Sequence, residues 1–273
     1  MPDLLCPVCG CTLHKQPKCY CCENRHSFDR ARSGYVNLLP PSPAGKRHGD
    51  DKRMVAARTA FLSRGYYDHL KTAVAALAAS VCAPGARVLD AGCGEGTYTR
   101  AICDALTRSG AAASLLGVDI SADAVKSAAR HVPQADFCAA STARLPLADE
   151  SLDLIVNIFS PFMAEEFWRV LAPQGKLLRV VPLERHLFEL KAAVYDTPYE
   201  NPPAQLTAPG FRLLQTEQLI KPIDLPDNAA IQALFLMTPY YYKTGAADQK
   251  KLDALSSLRV TTAFALALYE KSP

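Results

Sequence analysis

The chain has 273 residues, 49% of them apolar, with 30 Lys/Arg against 27 Asp/Glu and a net charge of +3. That suffices for one large domain with an appendage and a sizeable core, and it is too mild a charge to name a partner. The start MPDLLCPVCG lacks the basic region and apolar run of a signal peptide, and no stretch reaches the roughly 18 apolar residues of a membrane helix, so a cytoplasmic protein without a membrane partner is expected.

The first segment, residues 1–37, is rich in cysteine and turn-formers: six of the ten cysteines lie within residues 6–26. In a reducing compartment such a cluster points to metal or redox chemistry rather than to disulfides. Cys6-Pro7-Val8-Cys9 is a C-x-x-C turn whose two thiolates can grip one tetrahedral Zn²⁺. Cys19-x-x-Cys22 would complete a four-cysteine site and Cys22-x-x-x-His26 a Cys₃His site; spacing alone slightly favours four cysteines. A segment of this size has too little core to fold alone, so a metal would hold it together. It is also basic. Residues 1–60 carry ten Lys/Arg and five Asp/Glu, while the remaining 213 sum to −2. A basic head on a near-neutral body suits an anionic partner such as nucleic acid.

Residues 38–53, LLPPSPAGKRHGDDKR, are rich in Pro, Gly and charge without periodicity, and read as a mobile linker. From Met54 the texture becomes helical, in two pieces separated by Gly65. From Arg87 strands and helices alternate: RVLDAG, LLGVDI, ADFCAA, DLIVNIF and GKLLRVV as strands, with TYTRAICDALTR, SADAVKSAARH, AEEFWRVL and RHLFELKAAVY as helices. Repeated β–α units of this length predict a Rossmann-like α/β fold, a doubly wound and mostly parallel sheet with helices on both faces. FRLLQTEQLI, NAAIQALFLM and RVTTAFALALYE end the chain as strand, helix and strand.

LDAGCGEGTYT sets Gly92, Gly94 and Gly96 between a strand and a helix that opens at Thr97. The glycines let the backbone turn sharply and approach a ligand, and the helix N-terminus offers free N–H groups. Asp119 ends the next strand, where a carboxylate accepts hydrogen bonds from both hydroxyls of a ribose. The spacing is G-x-G-x-G, and no lysine follows as in a Walker loop. Here the chain resembles the S-adenosylmethionine-dependent methyltransferases with a seven-stranded, doubly wound sheet. Asp90–Gly96 match their first motif and Asp119 their ribose-binding acid. STARLPLADESLDLIV resembles the stretch with their adenine-side contact, which brings in Ser141 or Thr142.

A narrower resemblance lies in CPVC, YCCENRHSFDRARSGYVNLLP, a helix and then LDAGCGEG, continuing through RHLFEL at 185–190 and MTPYYY at 237–242. This combination is similar to the bacterial 23S rRNA guanine-N1 methyltransferases, which carry a zinc ribbon before the methyltransferase domain. The resemblance assigns Cys6, Cys9, Cys22 and His26 to Zn²⁺, leaving Cys11, Cys19 and Cys21 as extras. It implies that Tyr67 and His186 line the donor pocket with Asp90, Gly92, Gly94, Gly96, Thr97 and Asp119. It also implies S-adenosylmethionine as methyl donor and a loop guanine of 23S rRNA as acceptor.

On this reading residues 1–37 are an RNA-recognition module in which Lys15, Lys18, Arg25, Arg30 and Arg32 meet phosphates, and residues 54–273 are the methyltransferase domain. After the fourth strand Asn157-Ile158-Phe159-Ser160-Pro161 is a poor match to the Asp/Asn-Pro-Pro-aromatic of exocyclic-amine enzymes. Phe159 and Tyr240–Tyr242 are candidates for base stacking or for core packing. No residue is singled out as general base. The alternatives are a methyltransferase acting on another RNA or on a small molecule, and a non-catalytic zinc-ribbon RNA-binding protein. A homodimer contact is the other use open to the cysteine-rich head.

Overall fold

The computed structural model describes residues 3–41 and 49–272. In the head, β1 (His14–Lys15), β2 (Cys19–Cys21) and β3 (Ser27–Asp29) form a small antiparallel sheet in that order. The next strand, β4 (Val36–Asn37), leaves the head and joins the main sheet. Helices α1 (Lys52–Ser63) and α2 (Asp68–Val81) follow. The alternation then runs β5 (Arg87–Ala91), α3 (Thr97–Arg108), β6 (Ser114–Asp119), α4 (Ala122–His131), β7 (Asp136–Ala139), β8 (Leu152–Ile158), α5 (Ala164–Val170), β9 (Leu171–Pro182) and α6 (Phe188–Val194). It closes with β10 (Phe211–Leu225), α7 (Asn228–Leu236) and β11 (Leu258–Lys271).

The main sheet has the order β10-β11-β9-β8-β5-β6-β7-β4. Six strands, from β9 to β4, are parallel, while β11 runs antiparallel to both β9 and β10. This is the expected seven-stranded sheet with an eighth strand lent by the head. The reversal of strand order between β5 and β8 marks a switch point at the carboxyl ends of the central strands, where ligands bind in open α/β sheets. β9 and β10 are longer than the apolar runs at 175–181 and 211–220 suggest. β10 pairs with β11 along its whole length, and β9 starts early where Leu171 pairs with Leu152 of β8; apolar patterning registers neither set of backbone partners. No helix among the described residues is long and apolar enough to cross a membrane.

Local chemistry accounts for the helix starts around the switch point. The Asp51 side chain accepts from the N–H groups of Arg53 and Met54 at the head of α1, and Ser121 Oγ accepts from the Ala124 N–H at the head of α4. Each replaces a hydrogen bond that the first helical turn lacks.

The head shares a core with the main sheet. Leu4, Leu13, Tyr20, Val36 and Leu38 are buried in one cluster with Leu116, Val118, Cys138, Leu145 and Leu147. Burying one such side chain contributes about 1.5–3 kcal/mol. Leu5 N–H donates to the Pro146 carbonyl at 2.8 Å, Leu38 N–H to the Ala139 carbonyl at 2.9 Å, and Lys15 Nζ pairs with Asp136 Oδ1 at 2.7 Å. Of the segment expected to be a mobile linker, Leu38 is buried at one end and Lys52 and Arg53 already belong to α1 at the other. Residues 42–48 of it lie outside the described residues.

Candidate functional site

The head brings Cys6, Cys9, Cys22 and His26 together. One ligand atom from each lies within 4.8 Å of all the others. Cys6 Sγ and Cys22 Sγ stand 3.5 and 3.4 Å from His26 Nδ1, and Cys9 Sγ stands 3.7 Å from Cys22 Sγ. The Cys11 backbone N–H and the Asn24 amide lower the Cys9 thiol to about 5, which favours the thiolate a metal needs. Three thiolates and an imidazole this close suit a tetrahedral Zn²⁺. Cys19 is outside the group. Its Sγ lies 3.4 Å from Cys21 Sγ and donates to Gln16 Oε1. Residues two apart on a strand share a face, so β2 aims Cys19 and Cys21 together, away from the turn that carries Cys22. The four-cysteine alternative that spacing favoured is thus not what the fold assembles among the described residues.

Of the five basic residues expected to meet RNA, Lys15, Lys18, Arg25 and Arg32 are exposed. Lys15 pairs with Asp136, and Arg30 Nε donates to the Gly34 carbonyl at 3.1 Å.

At the carboxyl end of β5 the chain passes through Gly92, Gly94 and Gly96 with φ of 88°, 55° and 89°, all in the left-handed region. A Cβ on Gly92 would collide with the Ser160 side chain, and one on Gly96 would lie 2.9 Å from Ala128 Cβ. The loop is therefore wedged between the turn after β8 and helix α4. Asp119, at the end of β6, fastens it: Oδ2 accepts from the Gly94 N–H at 3.0 Å and Oδ1 from the Ser121 N–H at 2.8 Å. Burial raises the Asp119 carboxyl above its ordinary range, and these two N–H bonds oppose the shift. A carboxylate accepts about four hydrogen bonds, so capacity for two ribose hydroxyls remains. Asp90 is buried, accepts from Thr99 Oγ1 at 2.6 Å, and is pushed up to about 7 by burial.

Tyr67 and Thr97 line a narrow crevice with Leu62, Asp68, Lys71 and Tyr98. Tyr67 is buried, edge-on to Phe61 and Phe264 at 5.3 Å each, and 6.4 Å from the His186 ring. His186 Nδ1 accepts from the Ala263 N–H at 3.2 Å, and burial, reinforced by Lys191, lowers its pKa to about 3, so it is neutral. Phe159 stacks on His186 at 6.4 Å with its own ring 46% exposed, which rules out the core alternative. Of the tyrosines, Tyr240 donates to Asn201 Oδ1 at 3.2 Å and packs inward, whereas Tyr242 is 62% exposed. Ser141 and Thr142 follow β7 beside Asp119, with Ser141 Oγ accepting from the Ala143 N–H. Every residue expected in the donor pocket thus lies at the carboxyl ends of the central strands or in the aromatic group beside them.

The residues at the carboxyl ends of β5 and β6 match the chemistry of an adenosyl amino acid. They offer a half-buried carboxylate with spare acceptor capacity at Asp119, a glycine loop against a helix N-terminus, and a buried phenol, Tyr98 Oη, without a hydrogen-bond partner among the described residues. Two residues counted from sequence only as charge, Asp50 and Arg58, also reach these strand ends. No spacing could have marked Asp50 in an irregular stretch or Arg58 among the other charges of a helix.

Residues 4–43 match the family described as RlmA, N-terminal, a zinc ribbon, and residues 88–175 match a methyltransferase domain. A protein of Micromonospora griseorubida, provisionally named a 23S rRNA (guanine-N(1)-)-methyltransferase, is 40% identical over 70% of this chain and 69% of its own. The 23S rRNA (guanine(748)-N(1))-methyltransferase of Streptomyces fradiae is 35% identical over 86% of this chain and 84% of its own. Among solved structures, the YcgJ protein of Bacillus subtilis shares the fold with a TM-score of 0.51 at 18% identity, covering 75% of this chain and 99% of its own.

Proposed function

This chain belongs to the 23S rRNA (guanine-N1)-methyltransferase family, and from that premise we propose that it methylates N1 of a guanine in a hairpin loop of 23S rRNA. Its cofactors are S-adenosylmethionine and Zn²⁺. In this reading Cys6, Cys9, Cys22 and His26 hold the zinc. Asp119 takes the ribose, Asp90 and the loop Gly92–Gly96 with Thr97 take the amino-acid end, and Tyr67 and His186 wall the pocket.

The observation that carries the reading is continuity. The head that holds the Cys/His cluster contributes β4 to the same sheet whose strands β5 and β6 present the glycine loop and Asp119. An RNA gripped by the head is therefore held at a set distance from the donor crevice, and proximity of this kind lowers a barrier by several kcal/mol. Lys18, Arg25 and Arg32 are exposed charges for phosphates.

Held by Asp119 and the Gly92–Gly96 loop, S-adenosylmethionine would supply an electrophilic sulfonium methyl with a neutral thioether as leaving group, and guanine N1 would give up its proton to solvent in accepting it. The chain's part is to bind, orient and exclude water. Phe159, exposed beside the crevice, gives a flipped base a face to stack on. The cytoplasm, where ribosomal RNA is made, is the place of action in this reading. A second copy is the further partner, through β10, an edge strand with Leu213, Leu214 and Ile220 exposed.

Primer extension on 23S rRNA tests the reading, because a methyl at N1 blocks base pairing and stops reverse transcriptase. RRNA incubated with the protein and donor should acquire one new stop next to a loop guanine. RNA that reads through unchanged would overturn it.

A further inference from the structure

We propose that Arg58 is the residue that takes the α-carboxylate of the methyl donor, exchanging Asp50 for it; the inference rests on the donor reading above. Arg58 projects from α1 into the crevice, where its Nη1 would stand 3.5 Å from a Cβ on Gly94. Its partner is Asp50 Oδ2, and the two side chains are 24% and 26% exposed. Glu95 from the glycine loop and Asp119 from the end of β6 also face the guanidinium. Asp50 is itself anchored there, since Ser121 Oγ donates to its carbonyl at 2.5 Å. The arginine is thereby held over the loop rather than in solvent.

The charges around it are lopsided. Asp90 and Glu95 are buried, Asp119 is close by, and Arg58 is the cation among them. Tyr98 Oη is buried without a hydrogen-bond partner among the described residues and lies within electrostatic reach of Arg58, Glu95 and Asp90. A zwitterionic amino-acid end complements this arrangement. Its ammonium meets the carboxylates, and its carboxylate meets Arg58 and the phenol hydrogen of Tyr98. Asp50 keeps enough exposure, 26%, for water to take up its carboxylate when Arg58 turns away, and a ligand carboxylate offers the planar guanidinium two parallel hydrogen bonds. The exchange therefore leaves no charge unpaired on the arginine.

Decarboxylated S-adenosylmethionine isolates the group in question, because it keeps the adenosine, sulfonium and ammonium and lacks only the carboxylate. Titration calorimetry of the zinc-loaded full chain should show the wild type preferring S-adenosylmethionine by about tenfold or more, the scale of a charged hydrogen-bonded contact. Arg58→Gln should bring that preference to within about twofold by weakening the intact donor alone. Arg58→Lys keeps the charge and the stem, guards against a folding failure, and should fall between the two. Equal weakening of both ligands, or a preference that survives in both variants, would overturn the assignment. A wild type that binds neither ligand would instead overturn the donor reading, and this inference with it.

Discussion

The Gly94 N–H donates to Asp119 Oδ2 over 3.0 Å, tying the turn after β5 to the end of β6. The bond joins residues 25 apart in sequence that meet at the carboxyl ends of β5 and β6, where the donor is proposed to bind. Asp119 thus does two things at once: it holds the loop, and it keeps acceptor capacity toward a bound ribose. Replacing Asp119 by Ala should weaken donor binding by roughly 1.5–3 kcal/mol, the scale for hydrogen bonds to a charged group. Calorimetric titration with S-adenosylhomocysteine reads this directly, and unchanged affinity would remove Asp119 from the site.

The metal centre makes a second expectation. Zinc content should be one per chain, and Cys22→Ser or His26→Ala should lower it sharply while Cys19→Ser leaves it intact. Elemental analysis of purified variants decides the matter. Retention in His26→Ala with loss in Cys19→Ser would return the site to four cysteines. Because the head has little core of its own, chelation should also lower the melting temperature of the whole chain.

The shared core bears on what truncation does. Residues 1–37 carry Leu4 and Val36, which are 1% and 0% exposed, and they include β4. Removing them uncovers Leu147, Cys138 and the outer edge of β7. Truncation is expected to destabilise the catalytic domain rather than to leave it whole. Leu4→Ala alone should cost about 2–5 kcal/mol, the range for a fully buried leucine. Urea denaturation of the variant checks this. A loss below about 1 kcal/mol would mean that the head is not part of the core.

His186 gives stability a pH dependence with a definite sign. Its pKa is lowered to about 3 by burial, against an ordinary value of 6.5. Between these values the unfolded chain binds a proton that the folded chain refuses. The stability is therefore present above about pH 6.5 and lost as pH falls toward 3, at up to about 1.4 kcal/mol per pH unit. His186→Asn, whose amide oxygen can accept from the Ala263 N–H, should flatten that slope. Denaturation of zinc-loaded wild type and variant between pH 7.5 and 5 compares the two, and parallel curves would exclude His186 as the source.

RNA binding offers a test of the charged face. Lys18→Glu, Arg25→Glu and Arg32→Glu together should weaken RNA binding and reduce its dependence on salt, because fewer counterions are released. Lys15→Glu should act on stability as well, since Lys15 pairs with Asp136 across the seam between head and sheet and the variant sets two carboxylates against each other there. Affinity for a 23S rRNA hairpin at several salt concentrations, with melting curves alongside, separates the two roles. A salt slope unmoved by the triple variant would take the head out of RNA binding.

What the sequence determined by itself is the chemistry carried by short spacings. A strand, three glycines and a helix make a loop with a left-handed backbone wherever they occur, and an acid at the end of the next parallel strand lands beside that loop by right-handed crossover. Cys6 and Cys9 come together because a C-x-x-C turn is a local geometry. The competition between Cys19 and His26 was settled only by the pleat of β2, which turns Cys19 toward Cys21. The union of head and catalytic domain rests on Leu4 against Leu147, Lys15 against Asp136 and two residues of β4 beside β7. Arg58 gained its meaning from Gly94 and Asp119. These contacts join residues tens to more than a hundred positions apart, and no local period encodes them; they exist because the parallel sheet brings its strand ends to one edge and the apolar head buries itself against the strand that was left uncovered there.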